Sequence, residues 1–580
     1  MLIKRTLKAG KHMRRFHLGL VLIVLIAITG IWSGCKSGAG QPDDALTREG
    51  KIPTFFKNIP ADAPYVMTGT EAFPFDLLEG AFSKLAESME QLFQRAEDDG
   101  EFNQEDSAAR VVFAVMREFR GKLSRNGLES LGFSMRPHFA LYGVGLLPVY
   151  RMELHDPAAF EGFLARIEAG SGADVLHKTL GEIAYREYAL DDLIVPVAII
   201  GNEVIVGATT RKGVDAFLPY MLGLKLPQKS LADHNRIKDV INAYNLSAFG
   251  AGYVDFEAIT AALLGRLEPG SIMAEIWQAL ELKALDVTPG CDEEFSAIVA
   301  DVPRVVFGYE KLTRAEMDTV FAFEVKSDFA TRLGETRAPI PGLNSPLAAQ
   351  AWIYGGLGVD VQKLAVFLSD LALRVRATPY QCKSMAMLNS AAVQMQMTPD
   401  QLPPFITQLR GVALMVKHFA VGEDFESPTQ FDVVALVDSS EPADLFKILQ
   451  MVLPFLHGVI LEPNGIPTPL PEIAEYAYLV VPHVAMTSSV LAFSAGVGMQ
   501  DDLAALLERG PGARTPLVML SYDYAKISKS LLYNIESGDS ETLELMSSLS
   551  ELFGKIVMTI DAEPRGIFVR YHAELMPAAQ

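Results

Sequence analysis

Two stretches decide the fold: VYRMELHDPAAFEGFLARI, Val149 to Ile167, and FDVVALVDSSEPADLFKIL, Phe431 to Leu449. Each opens with the two-residue alternation of a half-buried strand and closes with apolar residues at helical spacing. An Asp-containing turn separates the two parts. In the first copy Asp156 is placed to cap the helix and Pro157 to fill its first position. Phe160, Phe163, Leu164 and Ile167 then share one helical face. Asp438 stands at the corresponding place of the second stretch as we align them. The unit marks architecture; by itself it specifies no reaction.

Other segments repeat in the same order. PYVMTGTEAFPFDLLEGAF from Pro64 is answered by PLAAQAWIYGGLGVDVQKLAVFL from Pro346, at the spacing that relates Val149 to Phe431. Leu180–Ala184 is answered by Leu470–Ala474. VPVAIIGNEVIVG (Val195–Gly207) is answered by VPHVAMTSSVLAFSAG (Val481–Gly496). Gly201-Asn202 and Ser488-Ser489 fall at hairpin turns. LSAFGAGYVDFEAI pairs with PLVMLSYDYAKI, and PRVVFGYEKLTRAEMDTVFAFEV with GKIVMTIDAEPRGIFVRYHAEL. The period far exceeds that of a solenoid repeat, so this is duplication of a domain. Hairpins interspersed with grouped helices give the fold class: α+β, two tandem, internally duplicated domains with antiparallel sheets and helices packed on them. We expect a first domain at 52–336, a Pro/Gly-bearing linker at 337–345 and a second domain at 346–580.

At 580 residues, 49% hydrophobic and 21% charged, the chain can bury more than one core. Its formal charge is −21. The basic residues Lys4, Arg5, Lys8, Lys11, Arg14 and Arg15 have no acids beside them, so the remainder is more acidic still. That balance excludes nucleic acid as a partner.

The N-terminus reads as an address. A basic segment leads into LGLVLIVLIAITGI, Leu18 to Ile31, too short to span a bilayer and the length of a signal-peptide core. Ser33, Gly34 and Cys35 follow. This resembles the lipobox of bacterial lipoproteins, with Trp32 where that family usually has Leu. The resemblance implies a signal peptide at 1–34, a cut between Gly34 and Cys35, and lipidation of Cys35, with palmitate among the acyl chains. Lys36, in place of Asp, implies the outer membrane, facing the periplasm or the cell surface. An uncleaved anchor helix is the alternative. Residues 35–51 read as a flexible tether. The phrase Ile59-Pro60-Ala61-Asp62, the duplication and the export signal together resemble a family of uncharacterised bacterial envelope proteins that opens on Leu/Ile-Pro-Ala-Asp. That family implies no established activity.

No catalytic, cofactor or metal motif occurs. GxSxG, GxxxxGK[ST], a complete dinucleotide loop and HExxH are all missing. His155-Asp156 and Asp233-His234 are the pairs with acid–base chemistry available to them; capping is the plainer reading of both aspartates. Cys291 and Cys382 either form a disulfide or remain two buried thiols. The Met-rich stretch Met385–Met397 and the run Leu445–Pro463, broken at Pro454, could present apolar surface to a ligand or simply fill cores. The expectation is a membrane-tethered binding or scaffold module, contacting the membrane through Cys35 and an envelope protein or lipid. A hydrophobic-ligand carrier is the alternative, and an enzyme without a motif comes third.

Overall fold

A computed structural model describes residues 52–78, 107–190, 192–285, 290–395, 399–421, 428–470, 482–508, 515–527 and 552–576. The chain forms two compact units. Of the described residues, the first holds those from 52 to 285, 304–319 and 575–576; the second holds those in 290–303 and 320–574.

The first unit is an antiparallel sheet with helices on it. Its strands are β1 (Tyr65–Thr68), β2 (Phe139–Val144), β3 (Leu147–Glu153), β4 (Val175–Leu180), β5 (Ile183–Leu190), β6 (Leu193–Ile200), β7 (Glu203–Gly207), β8 (Ala251–Asp255) and β9 (Arg304–Leu312). They lie in the order β4-β5-β6-β7-β3-β2-β1-β8-β9. Gly201, at φ +62°, makes the tight turn between β6 and β7 that a side chain would resist. Helices α1 (Ser107–Phe119) and α2 (Pro157–Ser171) cover one face. Phe160, Phe163, Leu164 and Ile167 of α2 are buried there against Tyr150, Met152, Val204 and Val206. Asp156 caps α2 through the backbone amides of Ala158 and Ala159, at 2.9 and 3.1 Å. On the other face Arg151 reaches helix α3 (Val214–Met221).

In the second unit α4 (Cys291–Asp301) precedes β10 (Ile353–Gly358), α5 (Val361–Ala377), α6 (Ala386–Gln394), β11 (Leu409–Val421), β12 (Pro428–Ser439) and α7 (Pro442–Val452). Then come β13 (His483–Met486), β14 (Val490–Ala495), α8 (Met499–Leu507), β15 (Val518–Asp523) and β16 (Phe553–Glu563). The order β13-β14-β12-β11-β10-β15-β16 repeats that of β6-β7-β3-β2-β1-β8-β9. The duplication is therefore present in strand order as well as in sequence.

The register of the repeat differs from the sequence alignment. Residues Pro346–Gln350 are a short helix, and β10 begins at Ile353. Trp352 O accepts from Asp523 N as Pro64 O accepts from Asp255 N, so Trp352 answers Pro64. The first phrase is answered accordingly: buried Ile59 and Ala63 match buried Leu347 and Ala351. In the opening unit Asp438 lies inside β12, where it binds Arg410. Its counterpart is Glu153, which binds His138 at the same edge of its own sheet. The residue answering Asp156 is Glu441, followed by Pro442 as Asp156 is by Pro157; Glu441 makes no side-chain cap.

Residues 337–345, expected as the linker, lie within the second unit. Arg337 binds Asp561, Thr515 Oγ1 donates to Ala338 O and accepts from Ile340 N, and Ile340 is buried. Cys291 and Cys382 form a disulfide in the same unit, buried beside Met385. It fixes α4 to the segment ahead of α6. The Glu294 carboxylate reinforces that junction by accepting from the backbone amides of Gln381 and Cys382.

Candidate functional site

Among the described residues, one face of the second unit's sheet carries exposed large aliphatic side chains. Strand β10 and residues 411–416 of β11 are apolar on both sides, the pattern of strands covered twice. Their inward side chains, among them Tyr354, Ala413 and Met415, pack with Ile340, Val434, Leu436 and Leu503. Their outward side chains are the large aliphatics Ile353, Leu357, Val412 and Leu414, with Leu414 48% and Leu357 42% exposed.

Strand pairing joins these residues into rows. Ile353 sits between Val416 and Tyr522, Gly355 between Leu414 and Leu520, and Leu357 between Val412 and Val518. On β12 the rows continue through Val433, Ala435 and Val437, and on β16 through Ile556, Met558 and Ile560. None of these positions is charged. A Cβ built on Gly355 meets nothing nearer than Leu520 Cδ1 at 3.9 Å. The middle of the face is thus a shallow dent walled by leucines. Helix α7 closes only the far end, where Leu445 and Phe446 bury Met486 and Leu491.

The corresponding face of the first unit is closed. Met67, Phe139, Tyr150 and Met152 are buried in one cluster with Val111, Val112 and Val115 of α1 and the apolar face of α2. That cluster lines a partly open apolar pocket of about 60 Å³, bordered by Val115, Phe119, Phe163, Tyr188 and Val197 among others.

The residue pairs with acid–base chemistry do not assemble a site. Asp156 caps α2, and His155 beside it is exposed. Asp233 accepts from Ser230 N and Oγ at 3.0 and 2.6 Å, and His234 is exposed. The deepest charge in the first unit was not marked in the sequence. Arg151, 2% exposed, donates to Tyr142 Oη at 3.0 Å, Glu203 at 3.2 Å and Met221 O at 2.5 Å. It therefore satisfies the last carbonyl of α3. Burial raises the Glu203 carboxyl above its ordinary pKa, with the Arg151 charge opposing. Burial likewise raises Asp438, opposed by Arg410. Both are structural ion pairs, one in the sheet of each unit.

In the Met-rich stretch Met385 is buried, whereas Met387 and Met395 are exposed. Pro454 ends α7 as expected, and Leu456 just beyond it is fully buried. Gly34 and Cys35 lie outside the described residues, and no helix among those described is long and apolar enough to cross a membrane. No family model, curated protein or solved structure matches the chain.

Proposed function

We propose that the chain is a non-enzymatic binding or scaffold module of the cell envelope, held to the outer membrane through acylated Cys35, that docks an apolar partner on the second unit's sheet. The observation that carries this reading is the difference between the two copies. One copy has its sheet face closed by helices; the other presents Ile353, Leu357, Val412 and Leu414 to solvent. A contiguous, uncharged, exposed apolar face on a protein this acidic is the mark of an interaction surface. Anchoring by two or three acyl chains is what Cys35 would supply, because a single chain holds only marginally.

The test is purification of the mature protein from its own envelope, beside a Leu414→Asp variant, with mass spectrometry of proteins and lipids. A species recovered with the parent and lost from the variant supports the reading. Identical recovery from both overturns it.

The ligand-carrier alternative has one observation in its favour, the apolar pocket under α1 and α2. At about 60 Å³ it is well below the roughly 300 Å³ at which ligand pockets begin. A defined lipid recovered with both parent and variant would favour the carrier.

A further inference from the structure

The end of α7 and the loop after it project bare hydrocarbon. Met451 is 73% exposed, Val452 69%, Ile460 85% and Ile466 64%. From Ile448 to Leu461 the sequence ILQMVLPFLHGVIL holds no Asp, Glu, Lys or Arg. Yet the loop is not loosely held. Leu456 is fully buried, and Leu453, Phe455, Val459 and Leu461 pack against the same cluster. Gln450 Nε2 donates to Leu456 O and Val459 O, at 3.1 and 2.9 Å, tying the last turn of α7 to the residues just before Ile460. Gly465 N donates to Met486 O at 2.8 Å, fixing the far end of the loop to β13. The molecule thus keeps some apolar side chains of this loop inside and holds others outward.

We propose that this loop is a membrane-contact element, in which Met451, Val452 and Ile460 enter the headgroup–acyl boundary of the bilayer to which the chain is tethered. Three arguments select a bilayer as the occupant. First, interfacial insertion reaches only about 5–10 Å and needs projecting aliphatic side chains, not a groove. Second, charge: an acidic chain of net charge −21 is repelled by anionic lipid, and this uncharged stretch can approach it. Third, reach: the tether expected from the sequence at 35–51 would, as a coil of about 15 residues, span roughly 20–25 Å and so keep the units close to the surface. This last argument rests on the tether proposed above. Contact by the loop would fix the orientation of the second unit on the membrane, which a flexible tether alone cannot do.

The test uses the full chain reconstituted in phosphatidylethanolamine/phosphatidylglycerol vesicles. An environment-sensitive fluorophore is placed at Ile460→Cys, at Met451→Cys and, as an exposed apolar control, at Leu176→Cys. Cys291 and Cys382 are bonded to each other, and the parent chain run in parallel corrects for label on Cys35. Spin-labelled lipid should quench the first two probes at least threefold more than the control, and aqueous iodide should quench them less. Equal quenching by iodide at all three sites overturns the proposal. So does protection from iodide without quenching by spin-labelled lipid, which would place a second copy of the chain on the loop. A Cys35→Ser chain, washed in high salt, tests the tether separately. Its release from the vesicles while the probes on the anchored chain stay unquenched sinks loop insertion and leaves the tether standing. Its retention, with the probes of the anchored chain quenched, sinks the tether and leaves the loop.

Discussion

Removing the disulfide should weaken one unit and spare the other. The bond joins Cys291 to Cys382 across 91 residues, and both cysteines belong to the second unit. Closing a loop of that size removes unfolded-state entropy equivalent to about 4–5 kcal/mol at 25 °C. For a unit of this size each kcal/mol moves the melting midpoint by roughly 2–4 °C, so roughly 8–20 °C is at stake. The perturbation is Cys291→Ala with Cys382→Ala, which leaves no buried hydroxyl or unpaired thiol. In a chain without residues 1–34, and so without Trp32, two tryptophans separate the readouts: Trp277 lies in the first unit and Trp352 stands just before β10 in the second. In guanidinium, a Trp277→Phe background follows the second unit and a Trp352→Phe background the first. We expect the Trp352 transition to lose about 4–5 kcal/mol and the Trp277 transition to stay within about 0.5 kcal/mol. A loss below about 1 kcal/mol at Trp352, or an equal loss at Trp277, would refute the reasoning. Because both sulfurs are buried, reductant should leave the native protein unchanged and act only as it unfolds.

Three further outcomes follow from the packing. Arg151→Ala should cost the first unit about 3–5 kcal/mol in denaturant unfolding, since half-buried Glu203 and the buried Tyr142 Oη and Met221 O all lose their partner. Arg151→Met with Glu203→Leu should recover most of that loss. Asp156→Ala should cost about 1 kcal/mol by thermal unfolding through loss of its cap, whereas Glu441→Ala, with no cap to lose, should stay within about 0.5 kcal/mol. Burial pulls the Glu153 carboxyl up, but hydrogen bonds from the His138 ring and backbone, with the ring's charge, bring it below its ordinary 4.5. Its folded pKa therefore lies under its unfolded one. The stability it adds is complete above pH 4.5 and is lost as pH falls through the folded value. Glu153→Gln should flatten the acid limb of the first unit's stability profile, measured by Trp277 fluorescence.

The architecture was legible because strand alternation and hairpin turns are local. Val149–Glu153, Gly201-Asn202 and the Asp156–Pro157 helix start all fold as their residues direct. The register of the repeat was not legible, for a physical reason. Asp438 resembles Asp156 in type, but a cap is defined by the backbone amides it faces, and Asp438 faces Arg410 inside a strand. Pro346 resembles Pro64 but starts a helix whose buried Leu347 and Ala351 do the packing of Ile59 and Ala63. The open face was hidden for a different reason. Leu357, Val412 and Leu414 read as the residues of a covered strand, because coverage is decided by helices distant in sequence. Among the described residues, Phe367 and Met385 of the α5–α6 region are buried while Leu357, Val412 and Leu414 stay exposed.

The most direct test of the docking claim is photo-crosslinking in intact cells. A photoreactive phenylalanine analogue placed at Leu414, and at its half-buried counterpart Leu141, which packs against the first unit's core, is irradiated in cells and the adducts are sized and sequenced. The account expects one discrete intermolecular adduct from Leu414, abolished by Leu357→Asp, and none from Leu141. Adducts confined to the chain itself at Leu414, or equal adducts from both positions, would contradict it.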